Sequence, residues 1–180
     1  WDGVFLAEAL FGVDAWISLA AAAMVTDRIG LGTLLTPVSR VRPWDLASKV
    51  GTVDRLSGGR AILGAGLGAL HDGWLAFEAD EGRRARAQKL DESLAVYAGL
   101  LGSLGTDERF GFEGKHYSAR PTVVGLPPPT VQRPHPPVWR VGAHVLERET
   151  LPSLDRAARW QGLIPQVGRP EASDRGMSID

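Results

Sequence analysis

The sequence contains no cysteine and no asparagine, only 3 lysines against 17 arginines, and aromatic residues at 7%. Without cysteine there are no disulfides, thiolate metal sites or cysteine nucleophiles. The surplus of arginine and the missing asparagine read as the mark of a GC-rich genome. A formal net charge of −1 excludes a strongly basic nucleic-acid binder and an acidic tail. The longest apolar stretch, Ala15 to Val25, is too short for a bilayer and is broken by Ser18. No basic segment followed by an apolar one opens the chain. The expectation is a cytoplasmic protein that engages neither nucleic acid nor membrane.

Reactive side chains are scarce as well. The four histidines (His71, His116, His135 and His144) fall at no metal-ligand spacing, so no metal is expected. No G-x-S-x-G occurs. Lys49 and Lys89 lie in helical patterns and Lys115 in a turn, which leaves no strand-end lysine for a Schiff base.

What the sequence does have is alternation. Short apolar runs at Val4–Leu6, Ile29–Thr36, Ala61–Gly66, Val138–Val141 and Leu163–Val167 are separated by helical patterns, which predicts βα units around a parallel sheet. Runs without polar alternation predict strands buried on both faces. Asp14 is placed to cap one helix, Pro43 to open the next, and Ser57-Gly58-Gly59 to end it. Ala87, Leu90, Leu94, Tyr97, Leu101 and Leu104 recur at helical spacing and predict a long amphipathic helix. Residues 106–137, rich in Gly, Pro and Thr, read as an inserted excursion with a hairpin at Phe110–Tyr117. The proline clusters within it read as connectors. Residues 168–180 read as a loop or tail.

In parallel α/β folds ligands bind at the C-terminal ends of the strands. Those ends carry Glu8, the run Thr33 to Thr36, Gly66-Leu67-Gly68 followed by His71, and Gly142-Ala143-His144. Glu8, His71 and His144 are therefore the candidate catalytic groups. Gly64-Ala65-Gly66-Leu67-Gly68-Ala69 matches the spacing of a dinucleotide fingerprint. That motif needs a helix directly after the glycines, and the sequence offers no cap there. Glycines at a strand end also let a flat ring approach the backbone. Few protein-borne acids, bases or nucleophiles on such a rim point to an organic cofactor.

Taken in order, several segments carry a resemblance: Trp1-Asp2-Gly3-Val4-Phe5-Leu6, Arg28 through Pro37, Arg42-Pro43-Trp44, Asp54-Arg55-Leu56-Ser57-Gly58-Gly59-Arg60, Leu63 through Gly68, Phe112 through Tyr117, Val131-Gln132-Arg133-Pro134 and Arg156 through Trp160. Residues 1–167 resemble the bacterial luciferase-like flavin-dependent oxidoreductases. The resemblance implies a TIM-type (β/α)8 barrel, an α/β fold. Eight steps typically take about 250 residues, so about five to six βα steps are expected here, entered at the second strand and left near the sixth.

The resemblance also implies a flavin at the rim, either reduced FMN supplied by a partner reductase or a 5-deazaflavin coenzyme. Thr33, Leu34 and Leu35 would support it on a bulge, often with a non-proline cis peptide. Gly66, Leu67, Gly68, Val141, Gly142 and Ala143 would line it. The implied activity is oxygenation of a small organic substrate with reduced FMN and dioxygen. The alternatives are deazaflavin-dependent hydride transfer and a non-catalytic flavin-binding member. Ala9 stands where relatives often place a histidine, Glu8 where they place an aspartate, and Ala69 where hydride-transferring relatives place an acid. Members often pair, so a homodimer is an expectation.

Overall fold

A computed structural model describes residues 1–10, 12–70, 73–125, 127–145, 149 and 151–168. Along the chain the elements are β1 (Gly3–Ala7), α1 (Ala15–Ala23), β2 (Gly30–Pro37), α2 (Pro43–Ser57), β3 (Ala61–Gly66), α3 (Arg83–Ser103), β4 (Arg109–Glu113), β5 (Ser118–Val123), β6 (Val138–Val145), α4 (Pro152–Ala157) and β7 (Gly162–Gly168). Strands β1, β2, β3, β6 and β7 pair in that order, all parallel, in one sheet curled into half of a TIM-type barrel. Each strand-to-strand crossover carries a helix, and that from β3 to β6 carries the antiparallel β4–β5 hairpin as well as α3.

The predicted caps form. The Asp14 carboxylate accepts the Ile17 N–H at 2.9 Å, an arrangement that contributes about 1 kcal/mol. Pro43 opens α2, and Gly58 ends it in the left-handed region at φ +67. Leu46, Val50 and Val53 of α2 pack with Leu90, Leu94, Tyr97 and Leu101 of α3 against Leu31, Ala61, Leu63, Ala65 and Val138 of the sheet.

The expectation of strands covered on both sides holds for β3, which is buried at Ala61 and from Leu63 to Gly66, and not for β1, which is half-buried from Gly3 to Leu6. The helices cover only the outer face, and the inner face is a half-exposed trough, so β6 alternates between buried and half-buried residues. Its apolar character comes from glycine and aromatic residues. Phe5 of β1 and Trp139 of β6 stack across it, ring centroids 5.2 Å apart. In a flat sheet these strands would stand about 14 Å apart. Curling closes that gap, and Gly32 leaves room for it: a Cβ there would stand 2.6 Å from the Phe5 ring.

Polar ties account for the motifs outside the strands. Buried Asp54 accepts from the N–H groups of Val131 and Gln132 and from Gln132 Nε2, at 2.7, 3.1 and 2.8 Å. Arg60 donates to the carbonyls of Ala23, Thr26, Ile29 and Ser57 and to the Thr26 hydroxyl, binding the end of α1 to the start of β3. The hairpin is longer than predicted, reaching Val123, and is docked on α3 by Glu92. That carboxylate accepts the N–H groups of Lys115, His116 and Tyr117 at 3.0, 2.8 and 3.0 Å. Burial pushes the Glu92 pKa up, but the three N–H groups outweigh it and hold the carboxyl below its usual range. His116 Nε2 lies 3.3 Å from Gln88 Oε1, a second tie between the hairpin and α3.

Candidate active site

The strand ends are shaped by a bulge in β2. Leu6 pairs with Thr33 and Ala7 with Leu35, while on the other side Gly32 pairs with Ile62 and Thr36 with Ala65. Leu34 is skipped by the β1 register and falls within the break on the β3 side, and its side chain is 52% exposed. Where the β2–β3 ladder opens, a side chain replaces it. The buried Thr33 hydroxyl accepts the Gly64 N–H and donates to the Gly64 carbonyl, both at 3.1 Å. It also accepts from the Thr36 hydroxyl at 3.1 Å. The bulge implied by the resemblance is present. Its peptide bonds are trans, the cis bond among the described residues being Arg133–Pro134.

Beside the bulge lies an apolar shelf. A Cβ on Gly66 would touch Leu35 and Val141, each at 3.2 Å, so these three residues meet at the C-terminal end of the trough. Strand alternation places Ala143 with Val141. The nine residues expected around a flavin are therefore divided by the pleat. Leu34, Leu35, Gly66, Val141 and Ala143 belong to the trough side. The Thr33 side chain points into the sheet–helix layer. Gly142 also faces α4, where a Cβ would stand 2.6 Å from Leu154. Leu67 packs on the core. Gly68, at φ +79, leaves room for Arg40, whose Nη1 would lie 2.2 Å from a Cβ there.

Arg40 is the main residue that sequence reasoning missed. It follows β2 in a short 3-10 turn, and its side chain is only 7% exposed. Nε donates to the Glu78 carboxylate and Nη2 to the Ala69 carbonyl at 2.9 Å. The Trp74 ring covers its face, with the centroid 4.1 Å from Cζ. Arg86 donates to the Gly68 carbonyl at 3.3 Å and pairs with Asp80. The chain after β3 thus runs into a strapped loop, and α3 begins only at Arg83. This rules out a dinucleotide helix after the glycines. A lone arginine three residues past a strand-ending proline was the available signal.

Between the ends of β1 and β2 a cleft of 280 Å³ is lined by Glu8, Ala9, Leu10, Pro37, Arg40 and Trp74, among others. Glu8 Oε2 is buried there without a hydrogen-bond partner. Burial raises the Glu8 pKa. The Thr36 hydroxyl, the Lys49 charge and the Trp16 indole pull it down, Asp14 pushes it up, and the balance is upward. A second hollow of 380 Å³, between α4 and the start of β7, has no titratable group in its lining and lies at the opposite ends of the strands. Of the two candidate catalytic groups among the described residues, Glu8 stands in the cleft and His144 does not. His144 is exposed on β6, three strands away in the sheet. His71 lies outside the described residues.

The raised Glu8 pKa has a definite sign. A folded-state pKa above the unfolded value adds stability that is complete below the unfolded value and is lost as pH rises through the folded one. Glu8→Gln is therefore expected to unfold later than the parent chain at pH 8 and together with it at pH 4. Urea melts at the two pH values check this, and a stabilisation that is equal at both would refute it.

The half-barrel fold is matched by comparison with known proteins. Residues 1–148 match the family model described as luciferase-like monooxygenase, and the chain belongs to that family. An uncharacterised protein of Mycobacterium bovis is 34% identical over 136 residues, which is 76% of this chain and 45% of the relative. The chain thus spans about half the length of the relatives it matches. Among solved structures, the monooxygenase RslO1 of Streptomyces bottropensis superposes with a TM-score of 0.68 at 24% identity, covering 88% of this chain and 53% of that one. The oxygenating constituent of 3,6-diketocamphane monooxygenase from Pseudomonas putida, solved with FMN, gives 0.69 at 21% identity over 87% of this chain and 44% of that one. A coenzyme F420-dependent tetrahydromethanopterin reductase from Methanopyrus kandleri gives 0.64 at 21%, over 78% and 42%. These likenesses concern the fold. No helix among the described residues is long and apolar enough to cross a membrane.

Proposed function

We propose that this chain is the barrel portion of a flavin-dependent oxidoreductase of monooxygenase type, acting in the cytoplasm on a small organic substrate with reduced FMN and dioxygen. The observation that carries the reading is the bulge. It puts Leu34 and Leu35 side by side at the strand ends, and Gly66 omits the Cβ that would otherwise stand between Leu35 and Val141. A planar tricyclic ring fits such a shelf, with Leu34, Leu35, Gly66, Val141 and Ala143 holding it. Arg40 and Arg86 are each tied to a carboxylate, so the fit is that of the ring and not of the phosphate. When bound, the flavin supplies the redox chemistry with dioxygen.

The chain's own residues do the rest. Phe5 and Trp139 fill the trough beneath the shelf and keep water from it. Glu8, whose carboxyl is pushed above its usual range by burial, brings an acid–base group into the adjoining cleft. Arg40 and Trp74 pin the loop after β3 across the cleft. Ala9 lines the same cleft and adds no acid or base.

An anaerobic titration of the full chain with reduced FMN and with the deazaflavin coenzyme is the test. Reduced FMN should bind saturably. Leu34→Asp should weaken it at least about tenfold while leaving the melting temperature in place, because Leu34 is exposed. Saturation by the deazaflavin alone would transfer the assignment to hydride transfer, the chemistry suggested by the F420-dependent neighbour. Binding of neither would remove the flavin reading.

A further inference from the structure

A helix that is apolar all round is ordinarily buried all round. No charged side chain lies between Asp14 and Asp27, yet α1 is covered on one side only. Ala15, Trp16, Leu19 and Ala23 are buried. Ile17 and Met24 are 71% and 68% exposed, with exposed Ala21 between them and exposed Val13 and Val25 at the two ends. At 3.6 residues per turn this row lies opposite the buried one. It points away from the sheet, so further helices set beside α1 around a barrel would leave it open.

The neighbouring α2 continues the surface. Its exposed row is Trp44, Ser48, Thr52 and Leu56, at helical spacing and without charge. The Thr52 hydroxyl donates to the Ser48 carbonyl at 2.7 Å and needs no outside partner. Of the charges beside this row, Asp45 pairs with Arg42 at 2.9 Å, Arg55 donates to the Pro128 carbonyl at 3.0 Å, and Lys49 is half-buried. The two rows form a charge-free face about 20 Å long and two helices wide, roughly 400 Å² in projection. Monomers rarely leave a contiguous, largely apolar patch of that size open.

The occupant must be uncharged, largely apolar and of similar extent, and a second copy of this face is all three. A two-fold pair counts the face twice, and projecting side chains add to the flat area. The pair thereby reaches the roughly 1,000 Å² at which specific interfaces begin. Both rows advance in steps of about four residues. With α1 of one copy along α2 of the other, Ile17 meets Ser48 or Thr52 whichever way the helices run, large against small. We propose that the outer face of α1 and α2 is the contact through which two copies of this chain form a homodimer. The inference is independent of the flavin reading.

Sedimentation equilibrium of the full chain at micromolar concentration is the test. The mass should be twice the 19.3 kDa of one chain. Ile17→Asp and Leu56→Asp each bring a charge into the contact twice per dimer and should raise the dissociation constant at least about hundredfold. Val123→Asp, at an exposed apolar residue of the hairpin, should leave the mass unchanged. The parent chain gives a second reading by methionine-methyl NMR. The Met24 signal, assigned with Met24→Leu, should be shielded from a soluble paramagnetic agent in the dimer and open to it on dilution. A monomer at every concentration overturns the proposal, as does an assembly larger than two. So does a dimer that survives both aspartate variants, or one that Val123→Asp weakens as much as they do. A Met24 signal as accessible before dilution as after it overturns the proposal too.

Discussion

Gly64→Ala is expected to cost on the order of 4 kcal/mol or more and to abolish flavin binding along with the fold. A Cβ at this position would stand 1.9 Å from the Thr33 carbonyl oxygen. That atom is backbone, so no rotamer change relieves the clash. Nor can Thr33 retreat: β1 pairs with it from one side, and its own hydroxyl bridges the Gly64 N–H and carbonyl on the other. Gly58→Ala is the internal control. Its backbone is left-handed at φ +67, but nothing lies within 4 Å of the added atom. A strain cost of about 1 kcal/mol is expected there. Soluble yield and urea unfolding of the two variants measure the difference. Gly64→Ala melting close to Gly58→Ala would mean that the seam between β2 and β3 is far looser than described.

Asp54→Ala should remove roughly 3–5 kcal/mol, because a buried acceptor disappears and its donors stay behind. The Val131 and Gln132 N–H groups lose their partner, while Gln132 Nε2 keeps the Ala61 carbonyl at 2.8 Å. The damage should be local in its first step. Hydrogen exchange at Val131 and Gln132 should accelerate more than exchange in β3, and urea unfolding should report the total. A loss below about 1 kcal/mol would show that these N–H groups find other partners. The hydrogen bonds of Asp54 and Arg60 give the segment from Asp54 to Arg60, so conspicuous among the resemblance motifs, a place in the architecture.

Much of the fold was legible from short-range signals. Apolar runs ending at Pro37 or Gly66, the Asp14 cap and the Gly58 stop are local chemistry, and each element stands within a few residues of its expected place. The site was legible only as a list of strand ends. Which side of the sheet each residue faces depends on pleat and curl, and these are set by partners distant in sequence. Thr33 and Leu34 are neighbours in the chain, yet one bonds within the sheet–helix layer and the other is exposed in the trough. Gly142, read as making room for a ring, makes room for Leu154. His144 shares the strand-end level with Glu8, but two strands, β2 and β3, lie between theirs. Arg40 escaped notice because surface arginines are common, and nothing local marks one that is buried under Trp74.

The single skipped residue in β2 has a consequence for how this site can change. Strict pleating would put Thr36 on the same side as Gly30, Gly32 and Leu34. The extra residue inverts the phase, so Leu35 joins the shelf while Thr36 turns to the buried side, within reach of Glu8 and bonded to Thr33. Ring shelf and carboxyl cleft are thus two outputs of one insertion. Deleting that residue would not shave the shelf and spare the cleft; it would exchange the contents of both. Side-chain replacement at a fixed chain length leaves that phase intact, whereas a change of length in β2 alters shelf and cleft together.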